Sequence, residues 1–290
     1  MTETIEPGAA APDLHEGTRT GPGGRSLSLP PYRFKNVVLS EWTKLRTVRS
    51  TFWTLFVGAI LGVGLSALIS GVSASHYYSD VVIRATWDPV GRSIRPLLLA
   101  QLAFAVLGVL TVTAEYSTGM IRTSLAAVPR RSMMMTAKMA VSGVVTLVVG
   151  EIVAFAAFLV GQVLIHSVQP TVPYATLGQH NVLRVVIGAG LYLAVVSLLA
   201  SGFAVLLRHA AAGIAVVVAM LFIVPGLAAA LPSSWSQPIE EYWPTNAGTE
   251  VYSLTHGPHA LSAWTGLGEM ALFTVLVVAV AFYVLERRDA

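Results

Sequence analysis

The chain has 290 residues, of which 54% are hydrophobic and only 11% charged, and its mean hydropathy is +0.69. Soluble domains carry roughly 25% charged residues, so this composition excludes an ordinary soluble enzyme and a disordered protein. The absence of cysteine excludes disulfides, thiolate catalysis and Cys-ligated zinc, and a net charge of +3 is too small an excess to indicate nucleic acid as a partner.

Residues 1–33 are read as a disordered cytoplasmic tail, and 34–290 as one membrane domain. The first thirty residues are rich in Gly, Pro, Ser, Thr and acids, and such a stretch buries too little apolar surface to offset its ordering entropy. Its start is acidic and no apolar core follows, unlike a signal peptide.

Residues 34–49, FKNVVLSEWTKLRTVR, predict a basic amphipathic helix. Phe34, Val37, Val38, Trp42, Leu45 and Val48 fall on one helical stripe, and Lys35, Lys44, Arg46 and Arg49 lie mostly off it. Such a helix lies in the membrane interface with its charges towards anionic headgroups. Trp42, Lys44, Leu45 and Arg46 are its central residues.

A bilayer takes about 20 apolar residues per helix. Six runs qualify: about 51–70, 97–114, 139–165, 182–207, 210–231 and 267–285. Lipid offers no partner for free backbone groups, so runs of this length are helices. The predicted class is all-α, a polytopic protein with six transmembrane helices.

On the first span, Thr54, Gly58, Gly62, Ser66 and Ser70 recur every four residues. This ridge of small residues predicts close helix packing, against a helix of the same chain or of a second copy. The segment 71–96 follows, with Arg84, Arg92 and Arg95 set against Asp80 and Asp88 as a solvated surface. Gln101 begins the second span, and both it and Gln162 are read as hydrogen-bonding groups near helix ends.

Residues 114–131, AEYSTGMIRTSLAAVPRR, predict a short helix between the second and third spans. Ser117 or Thr118 caps it, Ile121, Leu125 and Val128 line one face, and Pro129 stops it. A plain loop needs no such face, whereas a docking surface does.

Glu151 lies midway along the third span. A carboxylate there costs at least ~2.5–3.5 kcal/mol, so it is expected to be neutral, paired or facing water. Two readings stay open: a translocation or switching group, or a protonated packing group bonded to Ser, Thr or Tyr. Only Arg208 and His209 separate the fourth and fifth spans, which predicts a tight antiparallel hairpin, and Pro225 should kink or end the fifth. In 232–266, Trp235, Trp243, Tyr242 and Tyr252 are interfacial anchors or part of an outer gate of short re-entrant helices. His256 and His259 have no evident third metal ligand, so no metal site is expected. Glu269 begins the last span near its wet end.

With the N-terminus inside, the inner segments hold 14 of the 18 Lys and Arg, and the outer ones hold 4. The positive-inside rule then places both termini in the cytoplasm of a multi-pass cell-membrane protein.

SEWTKLRTVRST at 40–51, then Glu115-Tyr116-Ser117-Thr118-Gly119-Met120-Ile121-Arg122 with Pro129 and Arg130, and Tyr242-Trp243-Pro244-Thr245-Asn246-Ala247-Gly248 before the last helix, resemble the permease subunit of type-2 ABC exporters of the actinobacterial type. The resemblance spans about 34–288 and rests on the order of these segments. It implies an interface helix at 34–49 and a coupling helix at about 115–128, where Glu115, Tyr116, Ile121, Arg122 and Leu125 would meet the ATPase. It also implies a translocation path within a dimer, formed with a second permease copy or a homologous permease. Two separate ATP-binding subunits would drive it, with ATP and magnesium on those partners.

No G-x-x-x-x-G-K-[ST] occurs in the chain, and GPGG at 21–24 lacks the Lys. No cofactor and no catalytic site are therefore expected in this chain, and membrane lipids are its remaining partner. The alternative is a self-sufficient ion-coupled transporter using Glu151, although no internal repeat is evident. A non-transporting scaffold would leave the 115–128 helix and Glu151 without a purpose.

Overall fold

A computed structural model of the protein describes residues 33–117, 119, 131–255, 257 and 260–287. The chain is all-α, with no strand among the described residues. The expected tail, and Ile121, Arg122 and Leu125 of the expected coupling helix, lie outside the described residues, as do His256 and His259.

Helix α1 (Phe34–Thr47) ends at Val48, whose extended backbone turns the chain into α2 (Arg49–Ser75). Two short helices follow, α3 (Val81–Ala85) and α4 (Pro89–Ile94), started by the side chains of Asp80 and Asp88, which accept from backbone N–H groups of the first turn. Then come α5 (Leu97–Ser117), α6 (Arg131–Val168), α7 (Val182–Leu207), α8 (Ala210–Ala228), α9 (Ser233–Tyr242), α10 (Pro244–Thr249) and α11 (Ala263–Arg287).

Six of these elements are long and apolar enough to cross a membrane: α2, α4 with α5, α6, α7, α8 and α11. This is the build of a multi-pass membrane protein. Phe52, Trp53, Leu68, Ile152, Val163, Leu227, Leu272 and Val275 stand more than half exposed on these spans, as lipid-facing side chains do. In water such a surface would far exceed the patches that monomers tolerate.

All six spans overlap the runs that hydropathy placed, but the second and third begin about eight residues earlier. The second is extended back to Pro89 by α4, and the third begins at Arg131, giving α6 its 38 residues. Residues 131–138 include Met133, Met134, Met135, Ala137 and Lys138, which favour helix at little entropic cost, whereas hydropathy registers only the apolar stretch beyond them. At 1.5 Å per residue α6 is about 57 Å long, well beyond the ~30 Å hydrocarbon layer.

The core lies around α7, which packs against α5, α6 and α11. The spans α5 and α7 are the most buried, while α2, α8 and α11 keep most of their surface outward. One of the closest backbone approaches is at Gly108 on α5. A Cβ there would collide with the carbonyl oxygen of Ser197 on α7, and Ser201 Oγ donates to the Gly108 carbonyl at 3.0 Å. Small residues let the two backbones meet without a side chain between them.

Arg208 and His209 form the expected tight turn, with Arg208 in the left-handed region at φ 53°. Pro225 does not end α8 at once. A π-helical turn at Ala219–Ile223 precedes it, and the Val224 N–H bonds the Ala219 carbonyl. Continuing that spacing, the Met220 carbonyl would look to residue 225, a proline without an N–H. Its partners come instead from the outer segment, from Trp243 Nε1 at 2.8 Å and Thr245 Oγ1 at 3.2 Å.

Candidate functional site

Four oppositely charged side chains meet where α1 crosses the ends of α5 and α6. Lys44 Nζ lies 2.7 Å from Glu41 Oε1 and 2.8 Å from Glu115 Oε1. Lys138 Nζ lies 2.6 Å from Glu41 Oε2 and 2.9 Å from Glu115 Oε1. Glu41, Glu115 and Lys138 are buried, and Lys44 is partly exposed. The set has two positive and two negative groups, so the buried charge cancels. Removing such groups from water costs several kcal/mol each, and only short, well-directed contacts offset it. Burial alone would lower the pKa of Lys44, but the hydrogen bonds it donates to Glu115 and Glu41 outweigh this and hold its ammonium above the usual lysine range.

Helix geometry sets how far the cluster lies from Glu151. Glu151 is near the middle of α6, and Lys138 is thirteen residues before it, about 20 Å along the axis. Half a hydrocarbon layer is ~15 Å. The cluster is thus separated from Glu151 by more than half a hydrocarbon layer.

The side of α1 turned to the bundle therefore differs from the sequence expectation. Val37 and Glu41 are its buried residues, with Val38, Lys44 and Leu45 half-buried beside them, whereas Phe34, Trp42 and Arg46 are exposed. Lys44 was expected to face headgroups, yet it reaches inward to Glu41 and Glu115. The apolar stripe that includes Trp42 is partly left outside. Glu41 and Lys138 were not singled out from sequence, although a signal existed. Glu41 is an acid one turn before Lys44 in an otherwise basic segment, on the same face as Val37, and Lys138 is a lone charge at the mouth of a long apolar run.

Of the expected ATPase contacts, Glu115 is in the cluster. Tyr116 is half-buried beneath the Arg208 guanidinium, which stands 5.7 Å from its ring centroid and so ties the end of α5 to the α7–α8 turn.

The small-residue ridge of α2 packs inside its own chain. A Cβ at Gly58 would lie 3.0 Å from Ala103 Cβ, and one at Gly62 would lie 2.8 Å from Val153 Cγ1 and 2.9 Å from Leu97 Cδ2. Ser66 Oγ donates to the Ala157 carbonyl at 2.7 Å, and Ser70 Oγ is 3.3 Å from Ser93 Oγ. The ridge thus joins the first span to the second and third. Among the described residues, Thr54 bonds its own helix, at the Ser50 carbonyl.

Glu151 packs on α7 at a second glycine contact. A Cβ at Gly190 would lie 2.5 Å from Glu151 Cδ, and one at Gly150 would lie 3.0 Å from the Gly190 carbonyl. Glu151 Oε2 is buried and has no hydrogen-bond partner among the described residues, and no described cation pairs with the carboxyl group. The variant Gly190→Ala is expected to destabilise the protein, and Glu151→Ala to relieve part of that loss, because the new methyl then has room. The coupling should be about 0.5–3 kcal/mol, as for contacting residues, read from detergent melting of the two single variants and the double. Equal costs of Gly190→Ala in both backgrounds would place the carboxyl group elsewhere.

Both glutamines are more deeply placed than helix-end positions suggest. Tyr192 Oη donates to Gln101 Oε1 at 2.6 Å in the core. Gln162 Nε2 donates to the Pro89 carbonyl at 2.8 Å and to Ser93 Oγ at 2.7 Å, and its Oε1 accepts from the Ala175 N–H at 2.7 Å. Gln162 thus pins α4 and the α6–α7 connection together. On that same side α10 folds inward, burying Thr245, Ala247 and Gly248. A Cβ at Gly266 would collide with the Ala247 carbonyl, which seats α10 against α11. Trp235 and Tyr242 remain exposed, as anchors do.

No protein-family model matches the chain, and no curated protein matches it.

Proposed function

We propose that this chain is the membrane-spanning subunit of a type-2 ABC exporter. It would form the translocation path with a second permease copy or a homologous permease, and ATP-binding subunits on other chains would drive it. Both termini would lie in the cytoplasm of a cell-membrane protein. The Lys and Arg distribution and the order of the quoted segments support this reading.

The observation that carries it furthest is the charge cluster. It ties α1 to the last residues before 118–130 and to the first turns after it. A push on that connection would therefore reach the interface helix and two spans together. A mechanical input from outside the bundle needs such a joint, since an isolated loop would absorb the motion.

The test is co-purification with the ATP-binding subunit, followed by single changes in the connection. Ile121→Asp and Leu125→Asp should leave the six-span protein folded but abolish both permease-stimulated ATP hydrolysis and export. Normal stimulation and export in both variants would sink the assignment. The second reading, an ion-coupled transporter, is favoured by the unpartnered Glu151 Oε2. It requires Glu151→Gln to stop transport in vesicles that contain no ATPase.

A further inference from the structure

A hollow of about 220 Å³ sits at the elbow between α1 and α2. Helix α1 contributes Trp42, Leu45 and Arg46 to its lining, α2 contributes Thr51, Phe52 and Leu55, and α6 supplies the rest. It is smaller than the pockets that enclose a drug-sized ligand, so it suits one part of a longer molecule. Phe52 lines the hollow and, at 64% exposed, also belongs to the outward apolar surface of a membrane-crossing helix, beside Trp53 and Phe56. The hollow is thus continuous with a surface that lipid covers.

The lining is electropositive. Arg46 makes no ion pair among the described residues, and no acidic side chain lines the hollow. Glu41, the one acid of α1, is taken up by Lys44 and Lys138. The first turn of α2 has no side-chain cap and no acidic residue, and among the described residues no carbonyl accepts from the N–H groups of Arg49, Ser50 and Thr51. Such a helix start carries partial positive charge and favours an anion. Thr51 gives an independent sign. It is only 9% exposed, yet its hydroxyl makes no hydrogen bond among the described residues, and a buried polar group left unpaired is costly. A guanidinium, a hydroxyl and the start of a long helix therefore border one hollow, with nothing negative to meet them.

We infer that this hollow holds the phosphate of an anionic phospholipid whose head adds no cation, phosphatidylglycerol being the simplest. The Arg46 guanidinium donates to the phosphate oxygens, which its planar fork suits, and the Thr51 hydroxyl supplies a further donor. The glycerol ester and the first acyl carbons lie along Phe52 and Leu55. Phosphatidylcholine has the same phosphate and tails, but its quaternary ammonium follows within a few bonds and would stand beside Arg46 with no carboxylate in the lining to receive it. The glycerol head of phosphatidylglycerol brings no such charge. The inference draws on the membrane-crossing helices and this lining alone, and it stands or falls separately from the exporter reading.

The test uses the full chain in detergent micelles doped with equal amounts of phosphatidylglycerol and phosphatidylcholine, with bound lipid read by native mass spectrometry. Phosphatidylglycerol adducts should exceed phosphatidylcholine adducts roughly ten-fold, the factor expected from one like-charge contact at a partly solvated site. Arg46 is exposed, so Arg46→Gln should fold as the parent does, and it should bring the two lipids to nearly equal, weaker binding. Lys35 is also basic and exposed but lies eleven residues earlier on α1, about 16 Å along the axis, and Lys35→Gln should keep most of the preference. Inorganic phosphate at the lipid's concentration should leave the adducts in place, because it brings no chain to bury. Equal adducts of the two lipids in the parent would overturn the inference. Equal losses in Lys35→Gln and Arg46→Gln would assign the preference to the basic surface at large and overturn the site. Displacement by inorganic phosphate would overturn the lipid as its occupant.

Discussion

Replacing Lys138 with Met should unfold much of the protein, at a cost of about 3–5 kcal/mol, because two buried carboxylates lose a partner at once. Lys138 is the hub of the cluster, with one N–H to Glu41 at 2.6 Å and one to Glu115 at 2.9 Å. Methionine matches its length and removes its charge, so packing is nearly preserved while Glu41 and Glu115 must share Lys44. Adding Glu41→Gln restores neutrality and leaves the Lys44–Glu115 pair intact. The double variant should therefore melt above Lys138→Met alone. A Lys138→Met protein that melts like the parent would mean that the four charges contribute nothing to holding α1. The alkaline limit follows from Lys44. Its folded pKa is raised, so its contribution is fully present below the ordinary lysine value and is lost only as pH rises through the higher folded value. The melting temperature should thus lose nothing from this group between neutrality and about pH 10, and should fall above that.

Gly108→Leu should abolish assembly of the bundle, and even Gly108→Ala should cost about 1–3 kcal/mol, as overpacking does. The reason is the identity of the obstructing atom. At Gly108 it is the Ser197 backbone carbonyl, which cannot move without shifting α7. At Gly62 it is the ends of Val153 and Leu97, which can turn aside, and at Gly58 it is the Ala103 methyl. At Gly64 and Gly71 nothing lies within 4 Å, and alanine there should be neutral or stabilise by up to ~1 kcal/mol through the unfolded chain. For alanine the expected order of damage is Gly108, then Gly58 and Gly62, then Gly64 and Gly71. Leucine at Gly58 or Gly62 should also block assembly. Gly108→Ala melting no lower than Gly71→Ala would show that α5 and α7 do not meet in this way.

The spans were legible because hydropathy over about 20 residues is a coarse and redundant signal. The ridge of α2 was legible as a period of four, although its partners were not, since periodicity names a face and not what it faces. The cluster was largely hidden. A sequence window shows Lys44 among Arg46 and Arg49, where a solvated role is the ordinary reading, and nothing local links it to Glu115, 71 positions later. Gly108 was equally silent, because one glycine in an apolar span differs from many others only by the backbone opposite it. Pro225 was read as a breaker from its own chemistry. Its consequence was displaced by the π-turn at Ala219–Ile223 and by a tryptophan and a threonine beyond the end of the helix.

That last arrangement sets an order of events during biosynthesis. The fifth span enters the bilayer with the Met220 carbonyl short of a backbone donor, and its side-chain donors lie 23 and 25 positions later in the chain. They come from the segment beyond the end of α8 that lies away from the Arg208–His209 turn. An open carbonyl in hydrocarbon is costly, so α8 reaches its final form only after residues 243–245 have folded back onto it. The segment after the fifth helix is therefore a late fastening, and a ribosome stalled before Trp243 would leave a fifth span that is inserted but unfinished.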